Sequence, residues 1–326
     1  MTWVQDANVV AFRATKPISE DATFIGAGRN HVGAAGEIMS SPVVGDHFPW
    51  SRTHSTVRLR KNEFSVWTGT NFAGKSLMLG EISLGLIRQG RKVAMISLEM
   101  PPERTMARML RQAAMARETT KQFELQFEDW IDGKFFIYER TTSLTTKRTL
   151  DIIDYCAQEL GVHHVIIDSL MKCNVGANSY EAQKAFIEAL FNKAKRNTEL
   201  HLHLVAHFGK PKPGAVPDRY SIKGPTEIAD VADNVFIMSR NMKKKREMEK
   251  AEDVRDEKIL QMADGWLQVD KQRNGEWDGP IGLWYHRESM QYVAYEGARP
   301  IDFLADRDNE REAEEERRAI QEEPES

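Results

Sequence analysis

The sequence predicts an α/β fold with a mostly parallel central sheet covered by helices on both faces. Three observations carry that prediction. Gly69-Thr70-Asn71-Phe72-Ala73-Gly74-Lys75-Ser76 fits G-x-x-x-x-G-K-[ST], the phosphate-loop motif, at every fixed position. Short apolar runs alternate with helical segments through the middle of the chain, the pattern of strands buried on both faces. Polar residues stand directly after several of those runs, and ligands of open parallel sheets lie outside the carboxyl ends of the strands.

Taken in order, Met1 to about Thr56 is weakly patterned, broken by Gly26, Gly28, Gly33, Gly36, Pro42 and Pro49. It reads as a linker or arm (1–56) that would order against a neighbour. Within it Phe48-Pro49-Trp50 reads as local packing more than as a docking anchor. The ATPase-type core spans 57–296. Phe64 to Thr68 is a strand feeding the glycine loop. Leu77 to Gln89 is a helix, apolar nearly all round and so buried, that stops at Gly90. Lys92 to Leu98 is the next strand, and Pro101-Pro102-Glu103 opens a helix to about Ala116. Phe135 to Tyr138 is a strand, Lys147 to Leu160 a helix, His164 to Ile167 a strand, Tyr180 to Arg196 a helix and Leu202 to Ala206 a strand. Gly209 to Pro225 is a polar loop with Lys210, Lys212, Arg219 and Lys223. Val235 to Met238 is a strand, 241–264 a charged insertion, and Leu267 to Lys271 another strand. Gly282 to Tyr285 and Tyr292 to Ala294 form a closing hairpin. Residues 297–326 read as an acidic mobile tail.

Composition narrows the class. Hydrophobic residues make up 41% of 326, enough for one large core with extensions. No run approaches the length of a membrane span, and the opening residues lack signal-peptide composition. Cys156 and Cys173 stand alone and far apart, as reduced thiols in a cytoplasmic protein do. Asp306 to Ser326 holds 10 acids against 4 bases, a net −6, so the remainder carries +2 of the chain's −4. Nucleic-acid binding through local loops therefore stays open. His163-His164 and His201-x-His203 have no completing cysteine or carboxylate spacing and read as structural. Lys243-Lys244-Lys245-Arg246 is followed directly by acids and reads as a solvated helix face.

The chemistry gathers at the strand ends. Backbone N–H groups of the glycine loop can close on phosphate oxygens, and the following helix N-terminus adds favourable partial charge. Lys75 can reach the β- and γ-phosphates, and Ser76 can hold Mg²⁺. Asp168 follows Val165-Ile166-Ile167 and suits Mg²⁺ coordination, or else caps a strand-to-helix turn. Glu99 ends the next strand in sequence, where a carboxylate can orient and deprotonate an attacking water; the alternative is a first-turn acid of the helix at Pro101. His207 closes a third strand. ATP and Mg²⁺ are the expected cofactors.

These residues resemble the DnaB-type replicative helicases. Ser97-Leu98-Glu99-Met100-Pro101 after a complete phosphate loop, His164 to Asp168, Val205-Ala206-His207, Ala229 to Asn241 and Asp270-Lys271-Gln272-Arg273-Asn274-Gly275 match that family's motifs in order, over about Phe48 to Val293. The pattern is closest to the phage and Twinkle-like branch, where His stands at the γ-phosphate sensor. The resemblance implies a RecA-like P-loop NTPase fold and a homo-oligomeric ring, usually of six, threading single-stranded DNA in the 5′-to-3′ direction. It implies that Lys75, Ser76, Asp168 and Glu99 act in cis and that His207 senses the γ-phosphate. Lys271 and Arg273 would reach a neighbour's ATP, and the loop with Lys210, Lys212, Arg219, Lys223 and Gly224 would grip DNA phosphates. It also implies the cytoplasm of a phage-infected bacterial host. Met1 to Thr56 holds neither the family's helical N-terminal domain nor a primase module, so a primase or polymerase would be a separate partner. A RecA-like, single-stranded-DNA-dependent ATPase without unwinding is the alternative reading; a non-DNA ATPase or kinase is a third, against which the basic loop speaks.

Overall fold

The computed structural model describes residues 45–305 except 71, 174–179, 198, 210–217 and 251–254, together with Arg29, Val32, Gly33, Ala35, Gly36 and Val44. The chain divides into two compact units, Met1–Val44 and Gly45–Ser326. In the first, Val32, Gly33, Ala35 and Gly36 are helical and exposed. All that follows concerns the second.

The described strands form one nine-stranded sheet. They are β1 (Phe64–Gly69), β2 (Val93–Ser97), β3 (Phe135–Ile137), β4 (His164–Asp168), β5 (His201–Val205), β6 (Asn234–Arg240), β7 (Gly265–Gln272), β8 (Gly279–His286) and β9 (Gln291–Val293). The order is β3-β2-β4-β5-β1-β6-β7-β8-β9. The first six strands in that order pair in parallel, and β7, β8 and β9 add antiparallel neighbours. The helices are α1 (Lys75–Arg88), α2 (Pro102–Ala114), α3 (Lys121–Ile131), α4 (Thr146–Gln158), α5 (Tyr180–Arg196), α6 (Glu227–Val231), α7 (Met242–Met248) and α8 (Glu257–Leu260). β1, β2, β4 and β5 are buried along their whole length, which explains their unbroken apolar sequences. Two cores result, one on each face. Phe186, Ile187 and Leu190 of α5 pack with Val165 and Ile167 on one face; Met78, Ile82 and Leu86 of α1 pack with Trp67, Ile166 and Phe236 on the other. The fold class is the expected one.

The structure differs from the sequence reading at the margins. The packed chain starts before Val57: Phe48 and Trp50 are buried in the core that holds Trp67 and Phe236, and the Trp50 indole donates to the Tyr292 carbonyl at 2.6 Å. α3 is a helix that sequence reading passed over, because its Glu, Gln and Asp leave a thin apolar stripe; Thr120 caps it by accepting from Phe123 N. The insertion is ordered into α7 and α8 and stapled down: the Asn241 amide donates to Ala263 O, and Lys244 pairs with Asp264 at 3.0 Å. The chain beyond 297 stays packed through Phe303, with Ile301 N donating to Gln291 at 2.7 Å. Residues 306–326, the rest of the tail, lie outside the described residues.

The histidines form a buried chain of hydrogen bonds. Trp67 Nε1 can only donate, so His203 Nδ1 accepts it at 3.0 Å. A neutral His203 then donates from Nε2 to His164 Nδ1 at 3.1 Å, and His164 Nε2 donates to Asp46 at 3.0 Å. Arg91 closes the line on Asp46 at 2.7 Å. Burial works against the Asp46 charge, but the His164 ring and the Arg91 guanidinium overcome it and hold the carboxyl at about 2. These rings tie β1, β4 and β5 together beneath the site.

Candidate functional site

The glycine loop leaves β1 at its carboxyl end. Two glycines are compelled there. Gly69 has φ 147°, and a Cβ on it would lie 2.1 Å from the Met238 carbonyl of β6; Gly74 has φ 96° and precedes α1. No other residue lets the loop pass this close to β6 and then turn into the helix. Lys75 is buried, and its Nζ donates to Gly69 O at 3.0 Å and Thr70 O at 3.1 Å. Burial pulls its pKa down, while the carboxylates of Asp168 and Glu99 push it back up.

The neighbouring strand ends bring the other predicted residues to the same place. Ser76 Oγ donates to Asp168 Oδ2 at 2.5 Å. Burial raises the Asp168 carboxyl, offset in part by that hydrogen bond. The Asp168–Ser169 peptide is cis. Ser169 Oγ donates to Glu99 Oε1, and His207 Nε2 lies 3.2 Å from the same oxygen. Glu99, Asp168 and His207 therefore converge from the ends of β2, β4 and β5 on the mouth of the phosphate loop. The cleft they share has a volume of about 890 Å³.

Sequence reasoning missed Arg108, Met171, Phe208 and Met290, which also line the cleft. They arrive from α2 and from loops far apart in the chain, and none carries a motif. Ser169 was visible only as the neighbour of Asp168. Among the predicted loop cations, Lys210 and Lys212 lie outside the described residues, as does Asn71 of the phosphate loop. Arg219 pairs with Asp270 at 3.0 Å and lies over the Tyr220 ring. Lys223 lines the nucleotide-side cleft itself. Its backbone N–H donates to the His207 carbonyl at 2.7 Å, and Gly209 N donates to Ser221 O, so the loop base is tied to the end of β5.

Lys271 and Arg273 are not at this cleft. Lys271 Nζ donates to the carbonyls of Ala229 and Asp230 at 2.9 and 2.8 Å. Arg273 pairs with Asp233 at 3.1 Å, and the Asp233 carboxylate also accepts from Phe64 N, the first residue of β1. The phosphate loop leaves from the other end of that six-residue strand, roughly 20 Å away at about 3.3 Å per residue.

Known proteins share this arrangement. Residues 56–213 match the AAA domain family model. The solved ATPase domain of a phage helicase superposes with a TM-score of 0.69 at 13% identity, covering 83% of this chain and 100% of that one. This is a DnaB-like helicase ATPase fold. A DnaB-like replicative helicase, solved in a study of its interactions with primase, gives 0.63 at 14% identity over 85% of this chain and 72% of that one. Both matches reach well beyond the AAA segment, so the DnaB-like fold takes in strands of this chain that follow it.

The cleft suits a nucleoside triphosphate with its metal. The loop has no room for a Cβ at its two hinge glycines, a buried ammonium stands at its end, and the Ser76 and Asp168 oxygens sit side by side. No helix among the described residues is long and apolar enough to cross a membrane.

Proposed function

We propose that this protein is an ATP-dependent replicative DNA helicase that moves along single-stranded DNA, 5′ to 3′, and unwinds duplex as a homo-oligomeric ring. One observation carries the ring. Lys271 and Arg273 sit where β1 begins, while the phosphate loop sits where β1 ends. A guanidinium there cannot reach its own cleft. A head-to-tail neighbour can supply it, and repeated head-to-tail contacts close into rings. Arg273 would then stabilise transition-state charge on the next subunit's ATP, a task that suits its fixed, planar fork of donors.

Within one subunit each residue has a distinct task. Backbone N–H groups of the loop and Lys75 hold the β- and γ-phosphates. Ser76 and Asp168 would hold Mg²⁺, which neutralises phosphate charge when bound. Glu99 accepts the proton of the attacking water, oriented by Ser169 and His207. His207 passes the state of the γ-phosphate to the loop through its backbone bond to Lys223. That loop, with Lys210, Lys212, Arg219, Lys223 and Gly224, grips DNA phosphates. A primase or polymerase on a separate chain would be the partner, in the cytoplasm of a phage-infected bacterium.

Mixing two inactive variants tests the composite site. Arg273→Ala and Glu99→Gln each spoil every site in a uniform ring. A mixed ring has some interfaces with both residues intact, so ATPase should partly return. No recovery between preparations shown to exchange subunits would put Arg273 outside the reaction. Fork unwinding then separates a helicase from a DNA-stimulated ATPase that does not unwind.

A further inference from the structure

Behind the phosphate loop, on the side away from the cleft, stands one buried phenol. Tyr292 of β9 is 7% exposed. Its hydroxyl donates to the Ala73 carbonyl at 3.4 Å and fills the space beside Gly74: a Cβ built there would lie 2.2 Å from it. Gly74 is thus required twice, by its φ of 96° and by this ring. The tyrosine is itself fixed at both ends of its backbone. Its N–H donates to the buried Glu81 carboxyl of α1 at 2.7 Å, and its carbonyl accepts from the Trp50 indole at 2.6 Å.

We propose that Tyr292 is a positioning residue that aims the phosphate loop at its ligand. In a planar trans peptide the C=O and N–H point in opposite directions. Holding the Ala73 carbonyl from behind therefore turns the Gly74 N–H the other way, toward the cleft. That N–H belongs to the donors that close on a phosphate oxygen. A loop already set before binding loses less freedom when the ligand arrives, which is how preorganisation raises affinity. The contact involves neither the γ-phosphate residues nor the reacting water, so it serves ADP and ATP alike. Trp50 and Glu81 act one step further back, by fixing the strand that carries the phenol. The set draws its members from the arm, from α1 and from the last strand, outside every motif that marks the cleft.

The inference rests on the nucleotide-binding reading, and Tyr292→Phe tests it by removing one oxygen. The affinity for a fluorescent ADP analogue and the KM for ATP should worsen by the same factor, roughly 2- to 10-fold for one hydrogen bond. The kcat at saturating ATP should stay within about twofold, and the nucleotide-free melting temperature within about 2 °C. Parent-like ADP affinity in Tyr292→Phe, where the parent binds and Lys75→Ala does not, overturns the positioning role alone. A weaker affinity matched by a large fall in nucleotide-free stability also overturns it, in favour of a purely structural role. A parent that binds no ADP overturns the nucleotide reading together with it.

Discussion

A single carboxylate divides binding from turnover at this cleft. Glu99 Oε1 meets both Ser169 and His207, so it is oriented from two strands besides its own. Glu99→Gln keeps the shape and loses the proton acceptor. ATP-analogue binding should stay near parent while ATPase falls about 10²- to 10⁴-fold; turnover at the parent rate would remove Glu99 from the chemistry. Lys75→Ala should fail earlier, at binding, because its ammonium is the charge buried against the phosphates. The contrast was legible in the sequence, since the glycine loop, Glu99 and Asp168 are each marked by a strand end. Ser169 and Tyr292 were not. A hydroxyl that matters because of what stands opposite it leaves no trace in its own neighbourhood.

Elements show the same division. The central strands were readable because burial on both faces writes them as continuous apolar runs. The segment Gly45–Thr56 was not, because it is held by aromatic insertion and not by periodic structure: Phe48 meets Trp67 and Phe236 with ring centroids 5.8 and 5.4 Å apart. Phe48→Ala should therefore cost about 3–5 kcal/mol of stability in a urea titration. A loss under about 1 kcal/mol would return the segment to the status of a loose arm. The loop after β5 carries its own prediction. Neutralising Lys210, Lys212, Arg219 and Lys223 together should weaken single-strand binding for all sequences and flatten its salt dependence by about one unit of slope per lost phosphate contact. The four are not equal. Arg219 already has Asp270, so its share should be small, while Lys223→Ala alone should also disturb ATPase from its place in the cleft. An unchanged salt slope in the quadruple variant would move the DNA site elsewhere.

The molecule as a whole should have a stability optimum set by its buried titrating groups. Burial holds the His201 ring down to about 3 and the His203 ring well below its usual 6.5. Below pH 6.5 the unfolded chain gains both protons and the fold gains neither, so this stability is present above 6.5 and drains as pH falls. Burial raises the Glu81 carboxyl well above 4.5, so the fold keeps a proton there that the unfolded chain releases. That contribution is lost as pH rises. Between about pH 5 and 6.5 the unfolded chain holds one proton more on balance, and stability should climb by about 1.4 kcal/mol per pH unit. Above about pH 6.5 Glu81 alone remains, and stability should decline. Urea midpoints at several pH values check this, and Glu81→Gln should remove the alkaline decline; a flat profile from about pH 5 to 6.5 would contradict the buried state of the rings. None of this was legible beforehand. The histidines could be read as structural, but their partner Asp46 lies in the segment that carried no pattern.

The strand order has a consequence for how the chain is made. β1, the first of these strands to leave the ribosome, lies between β5 and β6, its parallel partners at residues 201–205 and 234–240. The phosphate loop therefore hangs from a strand with two open edges until both of those later strands have been synthesised. Pairings this distant in sequence form slowly, and an unpaired apolar strand is a site for wrong association meanwhile. Nascent chains stalled before Arg240 should be protease-sensitive across β1 and should retain ribosome-associated chaperones, whereas chains released past Gln272, with β7 in place to cover β6, should become resistant in one step.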